Sequence, residues 1–390
     1  MQFIDLEKQQ QGIRQNIERR IKAVLDHGKY IMGPEVGELE KKLCAVTGAK
    51  HCVSCASGTD ALFMVLMAWG IRPGDAVFVP DFTFFATAEV VGLLGATPIL
   101  VDIEPDTFNM CPKALEKAIH AVKAQDPQIY PIPAEARLQP LTPRAIIGVD
   151  LFGQAADYRA ILRIASEHDL LVMEDAAQSL GGSYHGKKNC NLGCHASATS
   201  FFPAKPLGCY GDGGAIFTED DELAAILRSL RVHGKGSDKY DNVRIGINGR
   251  IDTIQAAILL AKLEVFEQEI ADRQAVTAWY GNGLHNVSGV RTPLVLPECE
   301  SAWAQYSILL AGGLRDRVAA HLAQNGIPTN IYYPKPMHRL DVFKRLGYAE
   351  NDFPVASAIS RNILALPFYP YMVEDDVELV CGKIREALEG

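Results

Sequence analysis

Short apolar runs alternate with helix-like segments through the first two thirds of the chain. These strand-like runs, rich in Val, Ile, Leu, Ala and Phe, cover 51–57, 75–80, 97–103, 144–153, 170–176 and 196–202. Between the first two lies DALFMVLMAWG, whose pattern is typical of a helix. Continuous apolar runs separated by helices indicate a sheet that is buried on both faces. The pattern therefore predicts an α/β fold with a mostly parallel sheet.

A helical pattern runs from Arg250 toward Leu284. A helix of this length commonly bridges two domains, so we expect a large domain over 1–270, with an N-terminal helical segment, and a small C-terminal α+β domain over 271–390. In the small domain, AQYSILLA and TNIYYP are predicted strands and RDRVAAHLAQNG is a predicted helix. The proline-rich segment 123–143 has no clear period and is predicted to be an exposed insertion or a long loop.

Composition narrows the function classes. The chain has 390 residues, 48% of them hydrophobic and 22% charged, which is ordinary globular composition. A net charge of −9 with scattered basic residues argues against nucleic-acid binding. The charged N-terminus lacks the apolar core of a signal peptide, and no apolar run is long enough to span a membrane. Together with nine cysteines, this predicts a cytoplasmic protein with free thiols.

Two groups of residues raise the question of a metal site. Cys52 and Cys55 have C-x-x-C spacing, and a second group holds two histidines and two cysteines: His185, Cys190, Cys194 and His195. A zinc site needs four well-placed ligands, and neither group offers a second C-x-x-C pair. We interpret both groups as ordinary core or loop residues and predict no metal site.

Two positions near predicted strand ends could bind a ligand. Asp175 ends the apolar run LVMED, and the carboxyl edge of an open α/β sheet is where ligands bind. Ser57-Gly58-Thr59 opens a helix, whose free amides and dipole suit a phosphate. The alternative for each is structural, an aspartate that caps a helix or a turn that simply starts one.

Lys205 lies in SFFPAKPLGCYGDGG, among aromatic residues, prolines and glycines. Burial lowers the pKa of a lysine and increases its neutral, nucleophilic fraction, which can form a Schiff base with an aldehyde. The alternative is a surface lysine whose stem packs on Phe201 or Phe202. We expect the glycines after Lys205 to let the backbone pass close to a cofactor. An acid, an anion seat and a sequestered amine are together the needs of pyridoxal phosphate, the predicted cofactor.

Four motifs in order, MEDAAQS, SFFPAKPLGCYGDGG, GINGRIDTIQAAIL and YYPKPMH, resemble the DegT/StrS family of pyridoxal-phosphate sugar aminotransferases. The resemblance runs nearly end to end, with 123–143 as the main departure. It implies a fold-type-I enzyme, like aspartate aminotransferase, that acts as a homodimer with active sites built across the interface.

The same resemblance implies that the enzyme aminates a nucleotide-linked ketosugar. We expect a UDP-2-acetamido-3-keto sugar as substrate and L-glutamate as donor, released as 2-oxoglutarate, in lipopolysaccharide O-antigen synthesis. The alternatives are a 4-keto-sugar aminotransferase, an amino-acid aminotransferase, a sugar dehydratase or a non-catalytic regulator that binds the cofactor. A dehydratase is expected to lack the lysine, and a regulator is expected to carry a DNA-binding segment.

The family's functional positions map onto the cofactor-binding residues of this chain. Lys205 matches the Schiff-base lysine, and Asp175 matches the partner of the pyridinium nitrogen. Gln178 matches a side chain beside the ring, and Phe84 matches the aromatic residue that stacks on it. The remaining matched positions contact the phosphate, the last of them from the neighbouring subunit: Gly58, Thr59, Ser200 and Asn248.

The resemblance also suggests substrate-binding residues. Arg250 is placed to meet a substrate anion, with an ion pair to Asp252 as the structural alternative. Three tyrosines and a histidine are expected in the substrate pocket, with core packing as the alternative for the tyrosines: Tyr306, Tyr332, Tyr333 and His338.

Overall fold

The computed structural model describes residues 1–238 and 240–389. Over this part of the chain the α-helices are α1 (Leu6–His27), α2 (Pro34–Thr47), α3 (Gly58–Ala68), α4 (Ala86–Leu93), α5 (Pro112–Ala124), α6 (Ala134–Leu138), α7 (Tyr158–His168), α8 (Asp221–Leu230), α9 (Thr253–Lys262), α10 (Phe266–Gly283), α11 (Leu314–Gln324), α12 (Pro354–Asn362) and α13 (Glu374–Glu389). The strands are β1 (His51–Cys55), β2 (Asp75–Pro80), β3 (Thr97–Val101), β4 (Thr142–Val149), β5 (Leu171–Asp175), β6 (Ser183–Tyr184), β7 (Lys187–Lys188), β8 (Ala196–Ser200), β9 (Gly214–Thr218), β10 (Val290–Arg291), β11 (Cys299–Glu300), β12 (Tyr306–Leu310) and β13 (Ile363–Leu366).

The central sheet has the strand order β1-β9-β8-β5-β4-β2-β3. Strands β3, β2, β4, β5 and β8 pair in parallel, and β9 runs antiparallel to both of its neighbours, β8 and β1. The apolar runs form these strands because both faces of the sheet are covered, and every residue of β2 and β3 is buried. The predicted α/β class with a mostly parallel sheet is confirmed, whereas β9 was not predicted.

One edge of this sheet collects the candidate site residues. Because β9 is antiparallel to both neighbours, β1, β8 and β5 point the same way and their carboxyl ends meet. Strand β5 ends at Asp175, β8 ends at Ser200, and α3 starts at Gly58 just after β1. Ligands bind at this edge in open α/β sheets.

The helical pattern from Arg250 to Leu284 forms two helices, so the prediction of one long helix is wrong. Helix α9 ends at Lys262 and α10 begins at Phe266, and the amides of Glu264 and Val265 bond to carbonyls three residues back, which closes a turn. The predicted strand TNIYYP is also wrong, since it makes only a bridge between Asn330 and Ala365. The other predicted elements of this region are present as β12 and α11.

The segment 123–143 is more buried than expected for an exposed insertion or long loop. It contains α6, and Tyr130, Ile132 and Ala136 lie in the main core. The amide of Asp102 donates to the hydroxyl of Tyr130 at 2.7 Å, which ties the segment to the end of β3. Leu138, by contrast, is exposed.

A second buried cluster begins at Val276 and includes Tyr280, Tyr306 and Phe368. It packs around β12 and β13, apart from the larger cluster that covers the central sheet. The division into domains at 1–270 and 271–390 stays a prediction. None of the helices within residues 1–238 and 240–389 combines the length and apolar character needed to cross a membrane.

Candidate active site

Asp175 is held at the carboxyl end of β5 by two donors. The hydroxyl of Thr87, in α4, donates to Oδ2 at 2.9 Å, and the amide of Ala177 donates to Oδ1 at 3.3 Å. Burial raises the pKa of Asp175, while these two bonds and the positive charge of Lys205 act in the opposite direction. Within the described residues Asp175 has no ion-pair partner, so its carboxylate is free to meet a cation from a ligand.

Lys205 lies in a tight turn after β8, where its amide donates to the carbonyl of Phe202 at 2.9 Å. Burial lowers the pKa of Lys205, and the negative charge of Asp175 limits the decrease. The charge of each side chain therefore affects the pKa of the other. This environment fits a nucleophilic amine better than a surface lysine.

The glycines after Lys205 also pack closely against the protein itself, and their role beside a cofactor stays a prediction. A Cβ at Gly208 would lie 2.5 Å from the carbonyl oxygen of Pro203, within the same turn. A Cβ at Gly211 would lie 2.9 Å from Nε2 of Gln255 in α9, at the end of a side chain that can shift. Glycine is therefore required at Gly208, where the neighbouring atoms belong to the backbone.

The start of α3 forms a seat for an anion. Ser57 caps the helix by accepting from the amide of Asp60 at 3.0 Å, and the first intrahelical bond runs from Ala61 to the carbonyl of Ser57. The amides of Gly58 and Thr59 precede that bond and are available to a ligand. A Cβ at Gly58 would lie 2.7 Å from Cβ of Ser200, so glycine lets the helix start approach the end of β8.

Gln178 and two aromatic side chains lie on another side of Asp175. The Oε1 atom of Gln178 accepts from the amide of Phe152 at 2.7 Å, and its Nε2 donates to the hydroxyl of Tyr333 at 3.3 Å. The rings of Phe84 and Tyr333 are 6.3 Å apart, and Phe84 remains 56% exposed. The ring of Tyr332, the preceding residue in the chain, lies 5.9 Å from that of Tyr333. These side chains form an aromatic wall beside Gln178, and the open side of this wall, where Phe84 is exposed, is called the cleft.

Arg250 and Asn248 precede α9. The Nε atom of Arg250 is buried without a hydrogen-bond partner among the described residues, and no ion pair to Asp252 forms there. A guanidinium nitrogen in this position is suited to an anionic ligand. Asn248 is exposed and makes a single backbone bridge with Val232.

Two residues expected in the substrate pocket are buried elsewhere. Tyr306 is 1% exposed and stacks on Tyr280 with a ring separation of 4.7 Å, in the second core cluster. His338 is buried against Asp81, with Nδ1 of the ring 2.7 Å from Oδ2 of the carboxylate. Both side chains are buried in this structure, and their assignment to the substrate pocket stays a prediction.

Sequence reasoning missed Thr87, which supplies a hydrogen bond to Asp175. No local signal in the sequence indicates this contact, because Thr87 and Asp175 are 88 residues apart. The cysteines and histidines considered for zinc form no group of three or more metal ligands in the described part of the chain. All nine cysteines are free.

The arrangement fits pyridoxal phosphate. Gly58 and Ser200 lie close together at the start of α3, where a Cβ added to Gly58 would lie 2.7 Å from Cβ of Ser200. Asp175 offers a carboxylate without an ion-pair partner in residues 1–238 and 240–389, and Lys205 offers an amine of lowered pKa. These residues would hold the phosphate, the ring nitrogen and the aldehyde, respectively.

Comparison with known proteins agrees with this geometry. The chain is 46% identical to UDP-2-acetamido-2-deoxy-3-oxo-D-glucuronate aminotransferase of Pseudomonas aeruginosa, over 98% of this chain and 99% of that protein. It is 36% identical to UDP-N-acetyl-3-dehydro-alpha-D-glucosamine 3-aminotransferase of Acidithiobacillus ferrooxidans, over 100% and 98%. The crystal structure of a DegT DnrJ EryC1 StrS aminotransferase from Brucella abortus matches with a TM-score of 0.92 and 48% identity, over 99% of both chains.

Solved structures of similar chains hold pyridoxal phosphate or its aminated form. The model of the DegT/DnrJ/EryC1/StrS aminotransferase family matches residues 11–385, which is nearly the whole chain. The chain therefore belongs to the DegT/DnrJ/EryC1/StrS family and is a pyridoxal-phosphate-dependent sugar aminotransferase.

Proposed function

We propose that this enzyme transfers the amino group of L-glutamate to C3 of a UDP-linked 2-acetamido-3-keto sugar, for lipopolysaccharide synthesis. The observation that carries the reaction class is that Lys205, an amine of lowered pKa, lies close enough to the buried Asp175 for the charge of each to affect the pKa of the other. The names of the two relatives above support the sugar, since both act on UDP-linked sugars with an oxo group at position 3. Both cover almost the full length of this chain.

Lys205 is the proposed proton carrier. Bound at this site, pyridoxal phosphate supplies an aldehyde that takes up the amino group and a ring that accepts electrons released at the donor carbon. Because burial lowers the pKa of Lys205, a larger fraction of its amine is neutral than in a solvated lysine. A neutral amine can bind the aldehyde carbon and, once displaced, can accept the proton from Cα of glutamate.

Asp175 and Gln178 are the proposed orienting groups. Asp175 would hold a protonated ring nitrogen through its carboxylate, which the hydroxyl of Thr87 keeps in place. The positive charge of the ring nitrogen favours the ionised carboxylate, in the direction opposite to the effect of burial. Gln178 is fixed from both ends by Phe152 and Tyr333, so its amide has little freedom to turn away from the ring.

Arg250 is the proposed anchor for a carboxylate. Its buried Nε has no partner in the described part of the chain, and a guanidinium binds carboxylates with two parallel bonds. Both the donor glutamate and a glucuronate-type sugar carry such a group. In a ping-pong reaction the two occupy the site in turn, so one arginine can serve both.

The reverse reaction gives the sharpest test. Purified enzyme is supplied with 2-oxoglutarate and a panel of UDP-, dTDP- and GDP-linked sugars aminated at C3 or C4, and glutamate formation is measured. We expect the highest kcat/KM with a UDP-linked 2-acetamido-3-amino sugar, and no glutamate with Lys205→Ala. Preference for a C4 amine, or turnover by Lys205→Ala near that of the wild type, would contradict the proposal.

We also propose that the enzyme is a homodimer whose partner completes each site. Runs of exposed apolar side chains are unusual for a free surface. They occur in the segment after α1 and in the loop before α9, and further exposed aromatic residues lie after β2 and near Lys205: Tyr30, Ile31, Met32, Val243, Ile245, Phe84 and Phe202. Asn248 lies in the same loop and is proposed to reach the phosphate bound by the partner chain.

Complementation between two inactive variants tests the shared site. Lys205→Ala and Asn248→Ala are prepared separately, then mixed, unfolded and refolded together. If Asn248 acts in the partner's site, a mixed dimer contains one site with both native residues and regains up to about half of its activity. No recovery in a mixture that sediments as a dimer would place Asn248 in its own site, and a monomer in ultracentrifugation would remove the dimer.

A further inference from the structure

Two segments beside the aromatic wall are joined by a buried, hydrogen-bonded pair of side chains. Asp81 directly follows β2 and is 0% exposed, and His338 lies five residues after Tyr333 and is 4% exposed. Nδ1 of the histidine is 2.7 Å from Oδ2 of the aspartate, and the amide of His338 donates to Oδ1 at 2.9 Å. The amide of Met337 also donates to the carbonyl of Asp81 at 2.7 Å. The two segments are thus joined through both side chains and backbone.

The segment after Asp81 carries residues of the cleft. Phe84, which is exposed, lies three residues later, and Thr87, which donates to Asp175, follows in α4. Thr83 contacts Thr87 through its hydroxyl. The position of Asp81 therefore affects the position of Phe84, in the aromatic wall, and of Thr87, which donates to Asp175.

The segment before His338 carries the facing wall. Tyr333 accepts a hydrogen bond from Gln178 and lies with its ring 5.9 Å from that of Phe82 and 6.3 Å from that of Phe84. Because His338 is bonded to Asp81, the two segments that carry these rings are held at a fixed distance from each other.

The histidine ring has a second contact, so substitutions can remove the contact of one ring nitrogen and keep that of the other. Nε2 lies 3.3 Å from the carbonyl oxygen of Glu350, on the side away from Asp81. The ring also packs on Phe353, with centroids 5.1 Å apart. Of the two contacts of the ring, that of Nδ1 adds to the backbone bonds that join the two segments, whereas that of Nε2 leads to the segment that precedes α12.

We propose that Asp81 and His338 are a pair of positioning residues, which set the distance between the segments that carry Phe84 and Tyr333 and so control how firmly the site holds the cofactor. This inference rests on the proposed roles of Phe84, Asp175 and Gln178. It assigns no contact with substrate to either residue. Buried polar pairs of this kind fix one geometry because any other leaves an unpaired polar atom behind.

Two substitutions of His338 distinguish the contacts. In His338→Asn the amide nitrogen falls near the place of Nδ1 and keeps a donor toward Asp81, whereas in His338→Gln it falls near the place of Nε2 and keeps the donor toward Glu350. We expect His338→Gln to raise the dissociation constant of pyridoxal phosphate and to lower kcat roughly 10- to 100-fold, as a small displacement in a site can do. We expect His338→Asn to stay within about threefold of the wild type, because the contact that joins the walls survives.

Asp81→Asn and a remote histidine complete the experiment. The double variant Asp81→Asn with His338→Gln should bind pyridoxal phosphate and turn over no worse than the more impaired of the two single variants. Both substitutions act on the same contact between the two side chains, so their effects should not add. His195→Asn is the matched control, because Nδ1 of His195 accepts from the amide of Val172 at the opposite end of β5. Binding of pyridoxal phosphate to cofactor-free protein is followed by absorbance, alongside thermal unfolding of the same samples.

The outcomes separate the two proposals. Equal binding and turnover in His338→Gln and His338→Asn, or losses of thermal stability alone, would overturn the positioning role. Failure of the wild type to bind pyridoxal phosphate would instead overturn the proposed function. A loss confined to KM for the sugar, with the cofactor dissociation constant unchanged, would return His338 to a role in the substrate pocket.

Discussion

Lys262 is a buried lysine whose replacement should stabilise the enzyme. It ends α9, is 1% exposed, and its Nζ has no hydrogen-bond partner among the described residues. The ammonium lies 4.5 Å from the centroid of the Tyr210 ring, in the glycine-rich turn that follows Lys205. Burial lowers the pKa of Lys262 from 10.5 to about 8, and the negative charge of Glu269 limits the decrease.

The size of the effect follows from that pKa. The difference of about 2.5 between the folded and unfolded states corresponds to about 3 kcal/mol of lost stability, at about 1.4 kcal/mol per pKa unit. Replacing Lys262 with Met removes this cost while keeping the chain length. It also removes the cation–π contact with Tyr210, worth about 1–2 kcal/mol. We expect Lys262→Met to increase the free energy of unfolding by about 1–2 kcal/mol at pH 7.

The pH dependence gives the sign of the effect. Below pH 8 the lysine is protonated in both states, so the folded protein carries the full cost. As the pH rises from 8 to 10.5 the folded lysine loses its proton first, and the stability of the wild type increases. The advantage of Lys262→Met should therefore be largest at pH 7 and smaller at pH 9.5.

Urea unfolding of the pyridoxal-phosphate-bound enzyme, followed by tryptophan fluorescence at pH 7 and 9.5, measures this difference. Protein and cofactor concentrations are held constant, since both shift the apparent stability. Lys22→Met is the control, because Lys22 is 72% exposed and its pair with Asp26 is worth less than about 1 kcal/mol. If Lys262→Met is less stable than the wild type at pH 7, the charge of Lys262 is compensated within the fold and the reasoning from burial is refuted.

Three further outcomes test the site. Gly58→Ala should weaken binding of pyridoxal phosphate at least tenfold, because its Cβ would lie 2.7 Å from Cβ of Ser200; absorbance titration measures it. Thr87→Val removes a bond that lowers the pKa of Asp175, so the pH below which cofactor binding fails should rise, as a pH series of the same titration shows. Tyr306→Phe should leave the KM for the sugar unchanged, whereas Tyr333→Phe, which loses the bond from Gln178, should lower kcat/KM; steady-state kinetics distinguish the two.

The parts of the site that are local in sequence could be predicted. Asp175 ends an apolar run, and a run of that kind becomes a buried strand whose last residue faces the carboxyl edge. Lys205 lies in a turn dense in proline and glycine, which fixes its surroundings within a few residues. Gly58 follows a strand and opens a helix, so its free amide follows from position alone.

The parts that depend on distant partners could not. His338 is buried because Asp81 meets it across 257 residues of sequence, and nothing near position 338 indicates that partner. Tyr306 begins a strand with an apolar pattern, and the pattern does not tell a tyrosine in the core from one that lines a pocket. The break after Lys262 was also hidden, because apolar residues continue at helical spacing through Leu263 and Val265 into the next helix.

The electrostatics of the site connect its construction with its function. Burial raises the pKa of Asp175 and lowers that of Lys205, so the fold disfavours the charged form of both residues at the same sheet edge. A fold under selection for stability alone would place apolar side chains there, as it does at Leu171, Val172 and Met173 of β5. When the cofactor is bound, its cationic ring nitrogen would favour the ionised carboxylate of Asp175. Its aldehyde would react with the neutral amine of Lys205. The same burial that destabilises the two groups in the protein thus becomes binding energy for the cofactor, which explains why charged residues persist at this edge.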